Sequence, residues 1–416
     1  MKVLWFSNTP ANADDFFTST LKGTGGWLKS LDRELQNEVE LHIAFLDKGN
    51  SSFKYQNTWY YQIKKSETFL KKLIKRFIFL ETNAESLNEF LKIVKIIEPD
   101  IIHIHGTELT FGEIISKTNI PTVLSIQGNI TIYKHKYFSG IEKKNIRFVL
   151  DRKHIIRSLI FGNCFHLGFK FFKMQSKNEI KYFTNIKFII GRTDWDRRIT
   201  RVLSPQSVYF HNDEILRKCF YEKKWIPHLD RNNIIIQTTS GNVLYKGFET
   251  ICCALNILIN NGYNVEWRIA GIGQNDIIVS VVKKKLKKDF PKKGFFLLGS
   301  LTDEQLCQKL LEADIYVMPS HIENSPNNLC EAMILGIPCI ATFAGGTGSL
   351  MKDKEEGILI QDGDPWSMAG AILEFLMNFN KAILYGKNAR KRALLRHSNK
   401  KILTELIEIY KNIIDG

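Results

Sequence analysis

The chain has 416 residues, 44% hydrophobic and 24% charged, which excludes intrinsic disorder and fits two domains of roughly 200 residues better than one. Lys and Arg total 58 against 43 Asp and Glu, and the net charge of +15 favours polyanionic partners: nucleic acid, anionic lipid headgroups or phosphorylated substrates. The 7 cysteines form no CxxC or Cys/His metal spacing, which argues against a disulfide framework and for a reducing compartment.

The opening segment, MKVLWFSNTP, lacks the apolar stretch of a signal peptide, so a cytoplasmic protein is expected. Short apolar runs then alternate with longer helical patterns, the pattern of parallel α/β layers. In the first half, strands are expected at 3–6, 39–45, 101–105, 122–126 and 188–190, with helices at 27–35, 85–97 and 111–117. Residues 133–182, rich in Lys, Arg and Phe, read as a helical insertion. Its most apolar part, 155–172, is broken by Arg157, His166 and Lys170, so no membrane-spanning helix is expected. The polar stretch 221–232 interrupts the periodicity and reads as a linker. Beyond it, strands are expected at 234–238, 265–270, 295–298, 315–318, 339–342 and 357–360, and helices at 247–260, 276–288, 303–313, 326–335 and 365–379. The expected organisation is a first Rossmann-like domain at 1–220, a second at 233–395, and a last helix at 396–416 packing back toward the first. Two such domains facing across a cleft would bind ligands at the carboxyl ends of their strands.

The segment PSHIENSPNNLCEAMILGIP follows the strand at 315–318. Ser325 is a candidate N-cap and Pro326 a candidate first helical residue, which would aim the helix amides at an anion. Glu323 and Glu331 flank that helix start; carboxylates suit sugar or ribose hydroxyls rather than phosphate. The alternative is two surface glutamates. In TTSGNVLYKGFETI, Lys246 can approach a diphosphate as a point charge, or be a solvated loop lysine. In LKGTGGWLKSL, Gly23, Gly25 and Gly26 allow close backbone approach to a ligand, or serve only a tight turn. His103 and His105 alternate along one strand and share a face; His103 reads as structural, His105 as nearer a ligand. Arg192, Trp195, Asp196 and Arg197 follow a strand end and either bind an acceptor or cap a helix. Two look-alikes are set apart. Asp362-Gly363-Asp364 spells DxD, but Asp364-Pro365 suits an N-cap and first helical residue, so it reads as structural; AGIGQN lacks the rest of a dinucleotide fingerprint and reads as a strand-to-helix loop lining a nucleotide pocket.

Glu323 and Glu331 also form the E-x7-E motif, and ADIYVMPSHIENSPNNLCEAMILGIPCIAT, FAGGTGSLM and GILIQDGDPWSMAGAI resemble glycosyltransferase family 4, the retaining GT-B enzymes, over essentially the whole second half. GRTDWDRRITRVLSPQSVYFHNDEILRKCFY resembles a bacterial polysaccharide-assembly branch of that family. The resemblance implies a GT-B fold, with Glu331 holding the donor ribose and Glu323 near the transferred sugar. It implies Lys246 on the diphosphate, and Gly25, Gly26, Ser325, Asn327, Asn328 and Leu329 lining the donor site. Lys246, Glu323, His105 and Gln127 are the expected catalytic set, and Trp27, Arg192, Trp195 and Asp196 the candidates for the acceptor side. The sequence departs from the family pattern twice. Gly241 stands where a phosphate-binding Arg is usual, with Arg192 the candidate to compensate. Gln127 stands where a His is usual, and Gln cannot titrate near neutral pH.

The expected function is transfer of a sugar from a nucleoside-diphosphate sugar to a glycan or lipid-linked oligosaccharide acceptor, with no cofactor and no metal. The basic, aromatic segments 64–79 and 133–172 read as solvated helix faces or as a patch for an anionic membrane surface at the inner face of the plasma membrane. The rival readings are a GT-B sugar-nucleotide epimerase and a non-catalytic glycan- or nucleotide-sugar-binding subunit. No recognition motif accompanies the charge, so a nucleic-acid partner is not expected.

Overall fold

The structure is a computed structural model that describes residues 1–16, 26–64, 84–141, 165–228 and 233–416. It divides into two compact units. The first comprises Met1–Lys134, Phe165–Leu216 and His397–Gly416; the second comprises His135–Cys164 and Arg217–Arg396. Among the described residues no helix is long and apolar enough to cross a membrane. The segment 65–79 of the expected basic patch, and 142–164 of the expected insertion, lie outside the described residues.

The first unit is built on an eight-stranded sheet: β1 (Lys2–Ser7), β2 (Glu40–Asp47), β3 (Ser52–Tyr55), β4 (Thr58–Lys64), β5 (Ile101–His105), β6 (Thr122–Ser125), β7 (Phe188–Gly191) and β8 (Val208–His211). Their spatial order is β3-β4-β2-β1-β5-β6-β7-β8. All neighbours pair in parallel except β3 and β4, which form a hairpin around Gln56 and Asn57. Side chains alternate across β1, so Val3 and Trp5 enter one core and Leu4 and Phe6 the other. The first core also receives Ile402, Leu406 and Tyr410 of the helix Asn399–Asp415, so that helix belongs to the first unit although its sequence comes last.

The second unit has a six-stranded sheet: β9 (Ile234–Thr239), β10 (Val265–Ala270), β11 (Phe295–Gly299), β12 (Ile315–Met318), β13 (Cys339–Thr342) and β14 (Ile358–Ile360). The order is β11-β10-β9-β12-β13-β14, and every pair is parallel. Buried on both faces, β12 and β13 read as continuous apolar runs, which made them visible in sequence. The Asp364 carboxylate caps Pro365–Met377 by accepting from the Trp366 and Ser367 amides, each at 2.9 Å, so the DxD spelling is indeed a helix start.

Three strands were missed and one helix misread. β3 and β4 interleave polar residues with aromatics, and β8 is an edge strand of only four residues with exposed ends, too short to stand out as an apolar run. The segment expected as an α-helix at 111–117 is the 3-10 helix Thr110–Ser116. Gly112 packs there directly against the Tyr182 ring, where a Cβ would lie 2.4 Å from ring carbons.

Candidate active site

In the second unit β9 lies between β10 and β12, so the chain leaves β9 toward one side and β12 toward the other. Open parallel sheets leave a crevice at the carboxyl ends of such a strand pair. The loop after β9 holds Ser240, Gly241 and Lys246. Lys246 ends the 3-10 turn Leu244–Lys246 and is followed by Gly247 at φ 75°. A Cβ on Gly247 would lie 2.1 Å from the Pro319 carbonyl oxygen, so glycine lets this loop seat against the end of β12.

The loop after β12 carries Glu323. Its backbone is fixed at two points: the His321 amide donates to the Tyr245 carbonyl at 2.8 Å, and the Gly346 amide donates to the Glu323 carbonyl at 2.9 Å. Lys246 Nζ reaches Glu323 Oε1 at 2.5 Å. Glu323 is 5% exposed, while the Lys246 side chain keeps 24% of its surface open to a ligand.

The helix Asn327–Leu335 starts one residue later than expected. Pro326 is its N-cap, with an extended ψ of 109°, and no side chain caps it. That extended proline moves the helix start beyond Ser325, so Ser325 is not the cap; it is buried beside Glu323 in the chain, as is Leu329 in the first turn. Asn328 Nδ2 donates to the Thr239 carbonyl at 2.9 Å and ties the helix start to β9. Ser240 Oγ and Asn327 Oδ1 are buried without a hydrogen-bond partner. Buried polar atoms are rarely left so, and these two leave unused bonding capacity at the switch point.

Glu331 projects from the second turn of this helix and is 2% exposed. Arg217, absent from the sequence reading, grips it through both oxygens: Nε to Oε1 at 2.6 Å and Nη2 to Oε2 at 2.6 Å. Arg217 Nη1 also donates to Asp303 Oδ1 at 2.7 Å. Burial pushes the Glu331 pKa up, against the lowering by Arg217.

A second unexpected cluster supports the Glu323 loop. The His321 ring, 4% exposed, places Nε2 at 2.6 Å from Glu249 Oε1 and Nδ1 at 3.3 Å from Asp362 Oδ2. Lys136 Nζ pairs with the same Asp362 oxygen at 3.0 Å. Carboxylates only accept, so two full hydrogen bonds here require both ring nitrogens to donate, as the cationic imidazole does. Burial opposes that charge, but Glu249 and Asp362 together raise the His321 pKa above its ordinary 6.5. Neither cluster could be found from spacing, because the partners are scattered along the chain.

In the first unit, His103 is a satisfied structural histidine, bonded to Tyr410 Oη and Ser125 Oγ, each at 2.6 Å. Burial pushes its pKa down to about 3. His105 is 2% exposed, and both of its ring nitrogens lack a partner. It sits among Trp5, Trp27 and His103, with ring centroids at 4.7, 5.5 and 3.8 Å. Burial first, then His103 and Arg192, hold its pKa well below the ordinary imidazole range, so it is neutral. The adjoining cavity, lined by Trp27, His103, Gln127, Arg192 and Glu214 among others, is about 20 Å³, room for one water and not for a sugar. Near it, Gly106 separates Gln127 from Glu108, a half-buried carboxyl after β5 that the sequence reading missed. Asn8 Nδ2 donates to Glu108 Oε2 at 3.0 Å, and burial raises the Glu108 pKa.

Arg192 is no spare cation. It is 5% exposed, ion-paired with Glu214, and donates to the carbonyls of Ile126 and Gln127 at 2.7 and 3.0 Å. Asp196 is fully buried; it closes a capping box with Thr193 and accepts from Tyr209 Oη at 2.6 Å. Asp196 thus supports the helix Asp194–Leu203, whereas the Arg192 guanidinium ties Glu214 to the backbone that follows β6. Trp195, in the first turn of Asp194–Leu203, stays half-exposed with its ring 6.2 Å from Tyr133. Gly26 opens the helix Gly26–Leu35, followed by half-buried Trp27; Gly23 and Gly25 lie outside the described residues.

Residues 222–392 match the family model described as Glycosyl transferases group 1. The chain is similar to the capsular polysaccharide biosynthesis glycosyltransferase CapM of Staphylococcus aureus, 23% identical over 261 residues, which are 59% of this chain and 67% of that protein. The first curated relatives are spanned unevenly, one over 23% of its length and the next over 83%. Among solved structures, the sucrose-phosphate synthase of Thermosynechococcus elongatus superposes with a TM-score of 0.75 at 14% identity, covering 99% of both chains. HepE of Anabaena, solved with UDP and glucose, superposes with a TM-score of 0.64 at 13% identity, again over 99% of both chains. The fold is therefore that of the GT-B glycosyltransferases, with two parallel-sheet α/β units, and the chain's relatives include glycosyltransferases of polysaccharide biosynthesis.

Proposed function

We propose that this protein is a family 4 glycosyltransferase that moves a hexose-type sugar from a nucleoside-diphosphate donor to a hydroxyl of a glycan or lipid-linked acceptor in cell-surface polysaccharide assembly. The anomeric configuration is retained and no divalent metal is required. The observation that carries the reading is the Lys246–Glu323 pair at the β9/β12 switch point, beside the helix start at Asn327 and two orphaned polar atoms. In this reading Glu331 accepts from the ribose hydroxyls and Glu323 from hydroxyls of the sugar. Negative charge grows on the diphosphate as the glycosidic bond breaks. Lys246 and the amides of the helix Asn327–Leu335 are already in place to stabilise it, which lowers the barrier without reorganisation. A fixed cation and oriented amides can do the work of a metal at this point. The similarity to CapM and to HepE, crystallised with UDP and glucose, supports a nucleotide-sugar donor and a glycan product. An anionic membrane surface is the further partner proposed for the +15 charge, with the protein at the inner face of the plasma membrane.

The test is a thermal-shift panel of UDP-, GDP- and ADP-sugars, followed by turnover of whichever stabilises the chain. A saturating donor at about 100 times its Kd adds about 2.7 kcal/mol of stability and raises Tm by several degrees. Sugar transfer that survives chelator is the expected result. Stabilisation by none of them would overturn the reading, and release of a free isomeric sugar nucleotide would favour an epimerase. Salt-sensitive cosedimentation with anionic liposomes is expected, and its absence would remove the membrane partner.

A further inference from the structure

Glu331 is an ionisable group in a place where ionisation is costly: 2% exposed on a helix with apolar neighbours Leu329, Cys330 and Ala332. An unpaired carboxyl there would take up a proton, and a protonated carboxyl loses half of its value as a double acceptor. The structure supplies one guanidinium for this carboxyl. Arg217 meets it edge-on, with two parallel N–H···O bonds of 2.6 Å, and Asp303 holds the opposite side of the same guanidinium at 2.7 Å. The Arg217 side chain is also stacked on Phe220, with its guanidinium carbon 4.9 Å from the ring centroid. Ion pairing, a second carboxylate and an aromatic face together fix the fork in one orientation.

A carboxylate has about four lone-pair sites, and the fork takes one on each oxygen. We propose that Arg217 is a positioning residue for donor recognition: it keeps Glu331 ionised and presents the remaining lone pairs to the two ribose hydroxyls. The inference rests on the ribose role of Glu331 proposed above. Arg217 does not touch the ribose itself; it acts through Glu331. Its identity matters because Lys would preserve the charge without the planar fork. Asp303, at the start of the helix Asp303–Leu311, is the outer brace that keeps the guanidinium from rotating away.

The experiment is a calorimetric titration of the full chain with UDP, GDP and ADP, each beside its 2′,3′-dideoxy counterpart. Wild-type protein, Arg217→Lys, Arg217→Gln and Glu331→Gln are compared, with thermal unfolding to establish that each variant folds. Wild type should prefer the ribose form of its nucleotide by about tenfold or more, since two hydrogen bonds to a charged acceptor are at stake. In Arg217→Lys and Glu331→Gln that preference should fall to within about twofold, with affinity for the dideoxy form nearly unchanged. A merely structural role would weaken both forms equally and leave the preference intact, which would overturn the inference. Tighter nucleotide binding by Arg217→Gln would also overturn it, because Arg217 would then be occupying the ribose place. If wild type itself shows no preference, the ribose role of Glu331 fails instead, and if no nucleotide binds, both fail.

Discussion

Lys246 Nζ lies 2.5 Å from Glu323 Oε1, so a residue of the loop after β9 and one of the loop after β12, 77 positions apart, form a single charged unit at the switch point. Each depends on the other. Glu323 is nearly fully buried and needs a counter-ion, and in the proposed function that cation meets the donor diphosphate. Lys246→Ala should therefore lower kcat for sugar transfer by about 10²-fold or more, the scale seen when one preorganised charge stabiliser is removed. Lys246→Arg should recover part of it. Initial rates with the sugar nucleotide found by thermal shift are the measure, and a Lys246→Ala enzyme within twofold of wild type would refute the assignment.

Gly241 offers the converse experiment, a gain. It stands where the resembled family carries a phosphate-binding Arg, and Arg192 does not compensate, because Glu214 and two carbonyls already engage it. A Cβ built on Gly241 meets no atom within 4 Å. Gly241→Arg should thus fold normally and put a second cation near Lys246. Affinity for a nucleoside diphosphate should rise by about tenfold, the effect of one added charge-assisted hydrogen bond. Unchanged or weaker binding would mean that the diphosphate does not lie along this loop.

Asp196 separates a supporting residue from an acceptor contact. It is fully buried, and its carboxylate accepts from the Arg192 amide at 2.9 Å, the Thr193 amide at 3.3 Å and Tyr209 Oη at 2.6 Å. Asp196→Ala should cost about 2–4 kcal/mol in denaturant unfolding, the sum of the lost half of the capping box and unsatisfied buried donors. Trp195→Ala, at a half-exposed position beside it, should cost about 1 kcal/mol or less. Equal losses would contradict the division of labour drawn here.

The difference between what could and could not be read from sequence has a physical basis. Strands β12 and β13, buried on both faces, leave an uninterrupted apolar record, and Asp364-Pro365 spells its own helix start. Local rules suffice there. Lys246 and Glu323 were legible singly, each through its neighbours, but their pairing was not. Arg217 and His321 were invisible because their roles are set by partners at Glu331, Asp303, Glu249 and Asp362, and a lone Arg or His carries no pattern. β3 and β4 were missed for the opposite reason: they are half-exposed, and their alternation of Lys, Gln and Thr with aromatics dilutes the signal.

His321 makes the stability of the second unit depend on pH in a stated direction. The groups facing it are Glu249 on the helix Phe248–Asn260 and Asp362 after β14, with Lys136 on the far side of Asp362. Because the folded-state pKa is raised above the ordinary 6.5, the folded state holds the proton more tightly than the unfolded chain does. The stabilisation is therefore complete below about pH 6.5 and is lost as pH rises through the raised value. His321→Gln can keep at most the hydrogen bonds, not the charge. Denaturant unfolding of wild type and His321→Gln across this range should show the wild-type advantage shrinking with rising pH. The Glu323 loop is anchored through the His321 amide as well as its ring, so sugar-nucleotide affinity of wild type should weaken over the same interval. A stability difference that stays constant from below pH 6.5 upward would show that the ring is held neutral and only one of the two carboxylate contacts is a true bond.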